Sequence, residues 1–402
     1  MEGVRRAFVL ATARDAGAVV AGLPLAVRAV LAAHGARFDE VGLVAPDRPR
    51  WAAEPLARRE VPVRWIEAPL GETPQLPDLQ DGGLTLVLAG DVLVDADAVG
   101  ALRDAPPGPV LTSDGCLVGL VCAAAEASAC LAWPHLWTGS PASGTRLATG
   151  LAVSLETAGS TARLEQALLD HLAGQATSDS YLAALIDRPL SRPLTRLLLR
   201  TPLAPSHVTL LGVATGLLGA AGLATVSYWG RLGGVLLLVA SLVLDCVDGD
   251  LARARLAQNP AGARLDVVGD YLVNLAVFAG LAIGLLREGL TTGTASAAIA
   301  LVTGVGAAMA AVHVLFIRPA LHRGGDLHWA GDARSLRGRP GASVLEKVAS
   351  RDYTYLLLAL AVVGHLEWFL YAAAVGAWAF TAALVGYRWL ALPGGRGEGR
   401  SR

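Results

Sequence analysis

The stretch 245–270, DCVDGDLARARLAQNPAGARLDVVGD, sets Asp245, Asp248, Asp250, Asp266 and Asp270 among apolar runs long enough to cross a bilayer. One carboxylate near the middle of a membrane helix costs roughly 2.5–3.5 kcal/mol, so a cluster of them requires a compensating partner. Oxygen-only ligands suit hard divalent cations such as Mg²⁺, Mn²⁺ or Ca²⁺. In helical geometry Asp245, Asp248, Gly249 and Ala252 fall on one face, and Gly262, Asp266 and Asp270 repeat every four residues on another. Asn259-Pro260 breaks the pattern between the two sets, which predicts two antiparallel helices with facing acidic sides. The glycines leave bare backbone where a phosphorylated ligand can approach. Asp250 lies off the acidic face and reads as an ordinary polar residue near the site, while Cys246 reads as a small core filler.

The stretch matches D-x-x-D-G-x-x-A-R-x8-G-x3-D-x3-D at every fixed position: Asp245, Asp248, Gly249, Ala252, Arg253, Gly262, Asp266 and Asp270. This resembles the signature of the CDP-alcohol phosphotransferase family. The resemblance implies a two-metal centre, Mg²⁺ or Mn²⁺, held by Asp245, Asp248, Asp266 and Asp270. It makes Asp270 the base that takes the acceptor hydroxyl's proton, and puts Gly249, Ala252, Arg253, Gly262 and Thr209 on the nucleotide side. The chemistry needs such a site, because displacing CMP loads negative charge onto pyrophosphate oxygens and paired cations neutralise it. Other readings of intramembrane aspartates are a cation pathway, a CDP-alcohol-binding module without turnover, and a set of structural salt bridges. In the last, acids outnumber bases within the segment.

At 402 residues the chain exceeds one ordinary domain. Hydrophobic residues reach 53%, with the apolar runs concentrated after about residue 203, so a soluble and a membrane region separate. The net charge of −1 gives no global basicity to argue for nucleic acid. Cys116, Cys122, Cys130 and Cys246 have no CxxC spacing and no neighbouring His cluster, which indicates neither zinc nor a disulfide framework. The first apolar run, after Arg5 and Arg6, is too short for a signal-peptide core and reads as a strand.

Residues 1–180 alternate short apolar runs with helical patterns. Strands are expected at 7–11, 41–45, 61–66, 84–89, 109–112 and 117–122, and helices at 22–34 and 160–172, giving a mainly parallel, Rossmann-like α/β sheet. The segment GLPLAVRAVLAAHGARFDEVGLVAP and the strand end LVLAGDVLVDADAV, with Gly90 and Asp91, resemble sugar-phosphate nucleotidyltransferases. Asp91 and Asp114 are candidate metal ligands of such a domain. Triphosphate binding in that family uses a Gly-rich loop and a basic pair. Here the loop reads ATARDAGAVVAGLP and offers Arg14, so the expectation is a nucleotidyltransferase-like domain that has lost the CTP reaction.

Residues 181–204 form a connector in which Arg188, Arg192, Arg196 and Arg200 recur every four residues beside leucines. An amphipathic helix on an anionic leaflet is expected, with a phosphate contact by one of these arginines as the functional variant. The lead TPLAPSHVTLLG resembles the family's P-N-x-V-T entry, with Pro205 and Thr209 kept and Ser206 in place of Asn. Six spans are expected, at 208–227, 232–256, 265–286, 295–317, 353–366 and 369–389, as the membrane domain 205–392, followed by a tail at 393–402. Arg318, Arg323, Arg334, Arg337, Arg339, Lys347 and Arg351 share one loop, which puts both termini on the cytoplasmic side of an inner membrane. Arg255 and Arg264, and a second group of Arg318, His322 and Arg323, are candidates for an acceptor phosphate or for snorkelling. Tyr228, Trp229, Trp368, Tyr387 and Trp389 fall at expected interfaces.

The whole order is similar to archaeal and bacterial fusions that make CDP-inositol and join it to inositol phosphate. The resemblance thus implies a CDP-alcohol donor, a hydroxyl acceptor, membrane lipids and a homodimer. Phosphatidyl transfer from CDP-diacylglycerol to inositol phosphate or glycerol phosphate is the alternative within the class.

Overall fold

The computed structural model describes residues 4–11, 15–68, 83–112, 117–123, 145–146, 150–175, 182–289, 291–318 and 353–391. Arg14, Asp114, Cys116, Cys130, His322, Arg323, Arg334, Arg337, Arg339, Lys347, Arg351 and the tail 393–402 lie outside them. The chain divides into two compact units, one of Met1–Gln175 with Ala254–Leu256, the other of Ala176–Arg253 with Ala257–Arg402.

The first unit is built on a sheet of β1 (Val4–Leu10), β2 (Glu40–Ala45), β3 (Arg64–Glu67), β4 (Leu84–Ala89), β5 (Gly108–Leu111), β6 (Leu117–Ala123) and β7 (Thr145–Arg146), in the order β7-β5-β6-β4-β1-β2-β3. Strands β1, β2, β3 and β4 pair in parallel, with Phe8 opposite Gly42 and Val87. The near-continuous Val, Leu and Ala runs of β1, β2 and β4 bury on both faces, as a covered parallel sheet requires. Helix α1 (Leu25–Gly35), led by Pro24, and α2 (Thr161–Gln175) are at the expected places.

The sheet is mainly parallel, as expected, and β6 is the strand that departs from this among the described residues. Strand β6 runs antiparallel to both β4 and β5, so the sheet is mixed. Only residues 112–116 separate β5 from β6, whereas a parallel crossover takes a dozen or more.

The second unit is helical. It contains α3 (Arg188–Leu199), α4 (Pro205–Leu223), α5 (Tyr228–Ala254), α6 (Pro260–Glu288), α7 (Thr292–Val312), α8 (Tyr353–Val363) and α9 (Leu366–Ala391). Among the described residues 5 helices are long and apolar enough to cross a membrane: α4, α5, α6, the run Thr292–Leu315 beginning with α7, and α9. The expected span at 353–366 is the shorter apolar helix α8, of 11 residues.

Helix α4 packs into α6 through glycines. A Cβ on Gly280 would stand 2.3 Å from the Ala220 carbonyl oxygen, and one on Gly284 would stand 2.2 Å from that of Leu223. Only bare backbone permits this approach, the usual device where lipid supplies no hydrophobic drive between helices. Around it Leu223, Val277, Leu281, Leu301 and Leu370 form the buried core. Tyr228, Trp229 and Trp368 are exposed at helix starts, and the side chains of Tyr387 and Trp389 lie outside the described residues.

Candidate functional site

Three helices of the second unit converge on one pocket. Helix α4 contributes Thr209, Gly212 and Val213, α5 contributes Ser241, Asp245 and Asp248, and α6 contributes Asp266, Asp270 and Val273. The reversal between α5 and α6 follows from Asn259-Pro260, as expected. Asn259 leaves helical backbone, its Oδ1 accepts the Gly262 N–H at 2.6 Å, and Pro260 occupies the first turn where its missing donor costs nothing. A Cβ on Gly262 would sit 3.3 Å from that Oδ1, so the motif glycine leaves room for the cap.

One oxygen each of Asp245, Asp248 and Asp266 lies within 4.8 Å of the others. At about 4 Å two like charges repel by roughly 4 kcal/mol at an effective dielectric near 20, so three ionised groups need a cation among them. Asp248 is 7% exposed and its Oδ2 has no hydrogen-bond partner among the described residues. The Thr209 hydroxyl stands within hydrogen-bonding reach of the same carboxylate. A buried, orphaned carboxylate oxygen in an all-oxygen cluster fits a hard divalent cation.

The other residues singled out in the sequence fall elsewhere. Gly249, Ala252, Arg253 and Gly262 are outside the pocket lining. The Arg253 guanidinium lies over Gly249, where a Cβ would meet Nη2 at 3.4 Å. Arg264 and Arg318 are exposed, and Arg255 is half-buried with its pKa lowered by burial. In the first unit Asp91 is half-buried, and burial, helped by the charges of Asp15 and Glu156 and opposed by its own backbone contact, raises its carboxyl above the ordinary range. Among the described residues no acidic or His/Cys group of three includes it.

The arginine stripe is corrected. Arg188 is buried while Arg192, Arg196 and Arg200 are exposed. Four residues advance an α-helix by about 40° beyond a full turn, so a four-residue repeat drifts off any one face. The buried row is Arg188, Ser191, Thr195 and Leu199.

Sequence reasoning passed over Asp250. It is 4% exposed, and Arg188 Nη1 donates to its Oδ1 and Oδ2 at 2.7 and 2.9 Å. Arg253 Nη2 donates to the same Oδ1 at 2.7 Å. It also missed Asn274, whose Nδ2 donates to the Asp270 carbonyl at 2.9 Å and whose Oδ1 accepts from the Tyr353 hydroxyl. The every-four series of Gly262, Asp266 and Asp270 runs on to Asn274 and would have found it. Ser241, which donates to the Gly212 carbonyl at 2.8 Å and lines the pocket, carries no such signal.

No family model matches the chain. Over 87 residues it is 47% identical to the bifunctional IPC transferase and DIPP synthase of Rubrobacter xylanophilus, a match covering 22% of this chain and 19% of that protein. Over 95 residues it is 40% identical to the phosphatidylinositol phosphate synthase of Mycolicibacterium smegmatis, covering 23% of this chain and 40% of that protein. Over these stretches the chain is similar to CDP-alcohol phosphotransferases. It spans about a fifth of the first of these CDP-alcohol phosphotransferase relatives and two fifths of the second. Solved structures similar to it include Mycobacterium tuberculosis phosphatidylinositol phosphate synthase with CDP-DAG bound, at 22% identity and TM-score 0.32, covering 53% of this chain and 100% of that one. The same enzyme in complex with manganese and citrate gives 22% identity and TM-score 0.32, covering 52% and 93%.

Proposed function

We propose that this protein transfers a substituted phosphate from a CDP-alcohol to a hydroxyl acceptor and releases CMP, with CDP-inositol as donor and inositol phosphate as acceptor. The observation that carries this reading is the convergence of Asp245, Asp248, Asp266 and Asp270 with Thr209 on one pocket. Asp245, Asp248, Asp266 and Asp270 would hold two divalent ions, Mg²⁺ or Mn²⁺. When bound, such ions neutralise charge on the pyrophosphate oxygens and align attacker and leaving group. Asp270 accepts the proton of the acceptor hydroxyl. The acceptor oxygen then bonds to the phosphorus that carries the alcohol, and the bond from that phosphorus to the bridging oxygen breaks, so CMP leaves with the electron pair. Arg253, Gly249, Ala252 and Gly262 face the nucleotide in this reading, and Thr209 orients Asp248.

The 40% identity to phosphatidylinositol phosphate synthase favours a second reading, phosphatidyl transfer from CDP-diacylglycerol to inositol phosphate. Lipid donor and soluble donor share the CDP head, so the pocket serves either.

The wider arrangement belongs to the same proposal. A nucleotidyltransferase-like domain, Rossmann-like and without CTP chemistry, occupies 1–180, an amphipathic connector 181–204, and a membrane domain of six spans 205–392. Helix α8 is the sixth span. The chain is a homodimer in the inner membrane with both termini cytoplasmic, where water-borne CDP-alcohols are available.

Purified full-length protein incubated with Mg²⁺ or Mn²⁺, a panel of CDP-alcohols and inositol phosphate tests the reading through CMP. Release with CDP-inositol supports the first donor and release with CDP-diacylglycerol alone supports the second. Inertness toward every CDP-alcohol overturns both.

A further inference from the structure

Asp250 is outside the eight-residue signature and outside the pocket lining, yet it is one of the most enclosed carboxylates in the second unit, with its side chain 6% exposed. Burying a charge is expensive unless it is paired and hydrogen-bonded. Its two partners differ in kind. Arg188, with a side chain 8% exposed, contributes Nη1 to both carboxylate oxygens from the connector helix α3. Arg253, with a side chain 34% exposed, contributes Nη2 from one turn further along α5. Asp250 therefore balances an internal arginine on one side and holds a half-exposed one on the other.

The second half of that arrangement points outward. Arg253 Nε is buried and has no hydrogen-bond partner among the described residues, although Nη2 is tethered to Asp250. The guanidinium lies across the bare backbone of Gly249, immediately after the pocket aspartate Asp248. A planar donor with one N–H satisfied and another unsatisfied is a prepared anion receptor, since charge-assisted bonds to phosphate are short and directional.

Resting on the function proposed above, we propose that Asp250, clamped by Arg188, is a positioning residue that fixes the Arg253 guanidinium over Gly249 for the phosphate groups of a cytidine diphosphate. Arg188 supplies the partner that pairs the enclosed Asp250 carboxylate, which makes the connector helix part of nucleotide binding without touching the nucleotide. This reassigns Arg188 from a membrane-facing stripe to the support of the site.

The test is binding of CDP itself, with Mn²⁺, to full-length protein in detergent, measured by calorimetry beside Mn²⁺ binding alone. For Asp250→Asn the expected result is a CDP dissociation constant raised about tenfold, equivalent to roughly 1.4 kcal/mol. Mn²⁺ affinity stays unchanged. Arg253→Gln weakens CDP binding equally, and the double variant is no worse than either single one. Asp250→Glu recovers part of the loss. Where Asp250→Asn does not fold, Arg188→Lys serves, since it keeps the charge while losing the planar group, and it raises the same constant several-fold. Multiplicative losses in the double variant, an unchanged constant in Asp250→Asn, or parallel loss of Mn²⁺ binding overturns the proposal. Wild-type protein that binds CDP but releases no CMP from any CDP-alcohol sinks the proposed function and leaves the positioning role intact. Wild type that binds no CDP overturns both.

Discussion

Asp270 is the residue on which the proposed chemistry turns. It shares the pocket with three other carboxylates, and its backbone carbonyl is tied by Asn274, which Tyr353 holds in turn. Replacing it with Asn preserves shape and removes the base, so CMP release should fall by roughly a hundredfold or more while CDP binding persists. Retained turnover removes Asp270 from that role. Asp91 gives a contrasting case in the first unit. Its carboxyl titrates above the ordinary range mainly because burial disfavours the charge. A raised folded pKa means stability present below the unfolded value of about 3.9 and lost as pH rises past it. Asp91→Asn should therefore raise the thermal midpoint of the full chain near neutral pH and leave it unchanged near about pH 3. Equal shifts at both would mean that the carboxylate does something other than resist ionisation. These two aspartates show what residue-level reading delivers. The pocket aspartates were legible because their spacing is written in helical periodicity. Asp250 was not, because a buried carboxylate announces itself only through partners, and Arg188 lies 62 positions away.

Among elements, α4, α5 and α6 bear the site, and the contact of α4 with α6 depends on absent side chains. Gly284→Val would drive a branched side chain into the Leu223 carbonyl, so the helices must part. Overpacking of this kind costs about 1–3 kcal/mol in ordinary cores. With no flexible group to yield, the variant should lose thermal stability and CMP release together. Unaltered melting and turnover would show that α4 and α6 need not approach so closely. The elements themselves were largely readable: strands at 84–89 and 117–122 and the break at Asn259-Pro260 appear where composition and turn chemistry set them. Two elements needed more than composition, for physical reasons. The direction of β6 is decided by a loop too short for a crossover. The connector stripe failed because a four-residue repeat outruns the helix, leaving Arg188 inside and Arg192, Arg196 and Arg200 outside.

At the scale of the whole molecule, an α/β unit and a helical unit divide the labour unequally. Every residue of the candidate centre comes from the helical unit. The segment ATARDAGAVVAGLP after β1 has no G-x-G core and offers a single arginine. Full-length protein carrying Asp270→Asn, which cannot consume the product, should therefore form no CDP-inositol from CTP and inositol phosphate. Accumulation of CDP-inositol would restore a cytidylyltransferase to the first unit. The most direct test concerns the carboxylates gathered from α5 and α6. CMP should be measured after purified full-length protein meets CDP-inositol and CDP-diacylglycerol with inositol phosphate, in Mn²⁺ or Mg²⁺ and again with a chelator. We predict release from at least one donor that stops when the chelator removes the ion. Release that the chelator leaves untouched, or cation flux across vesicles with no CMP from either donor, would contradict it.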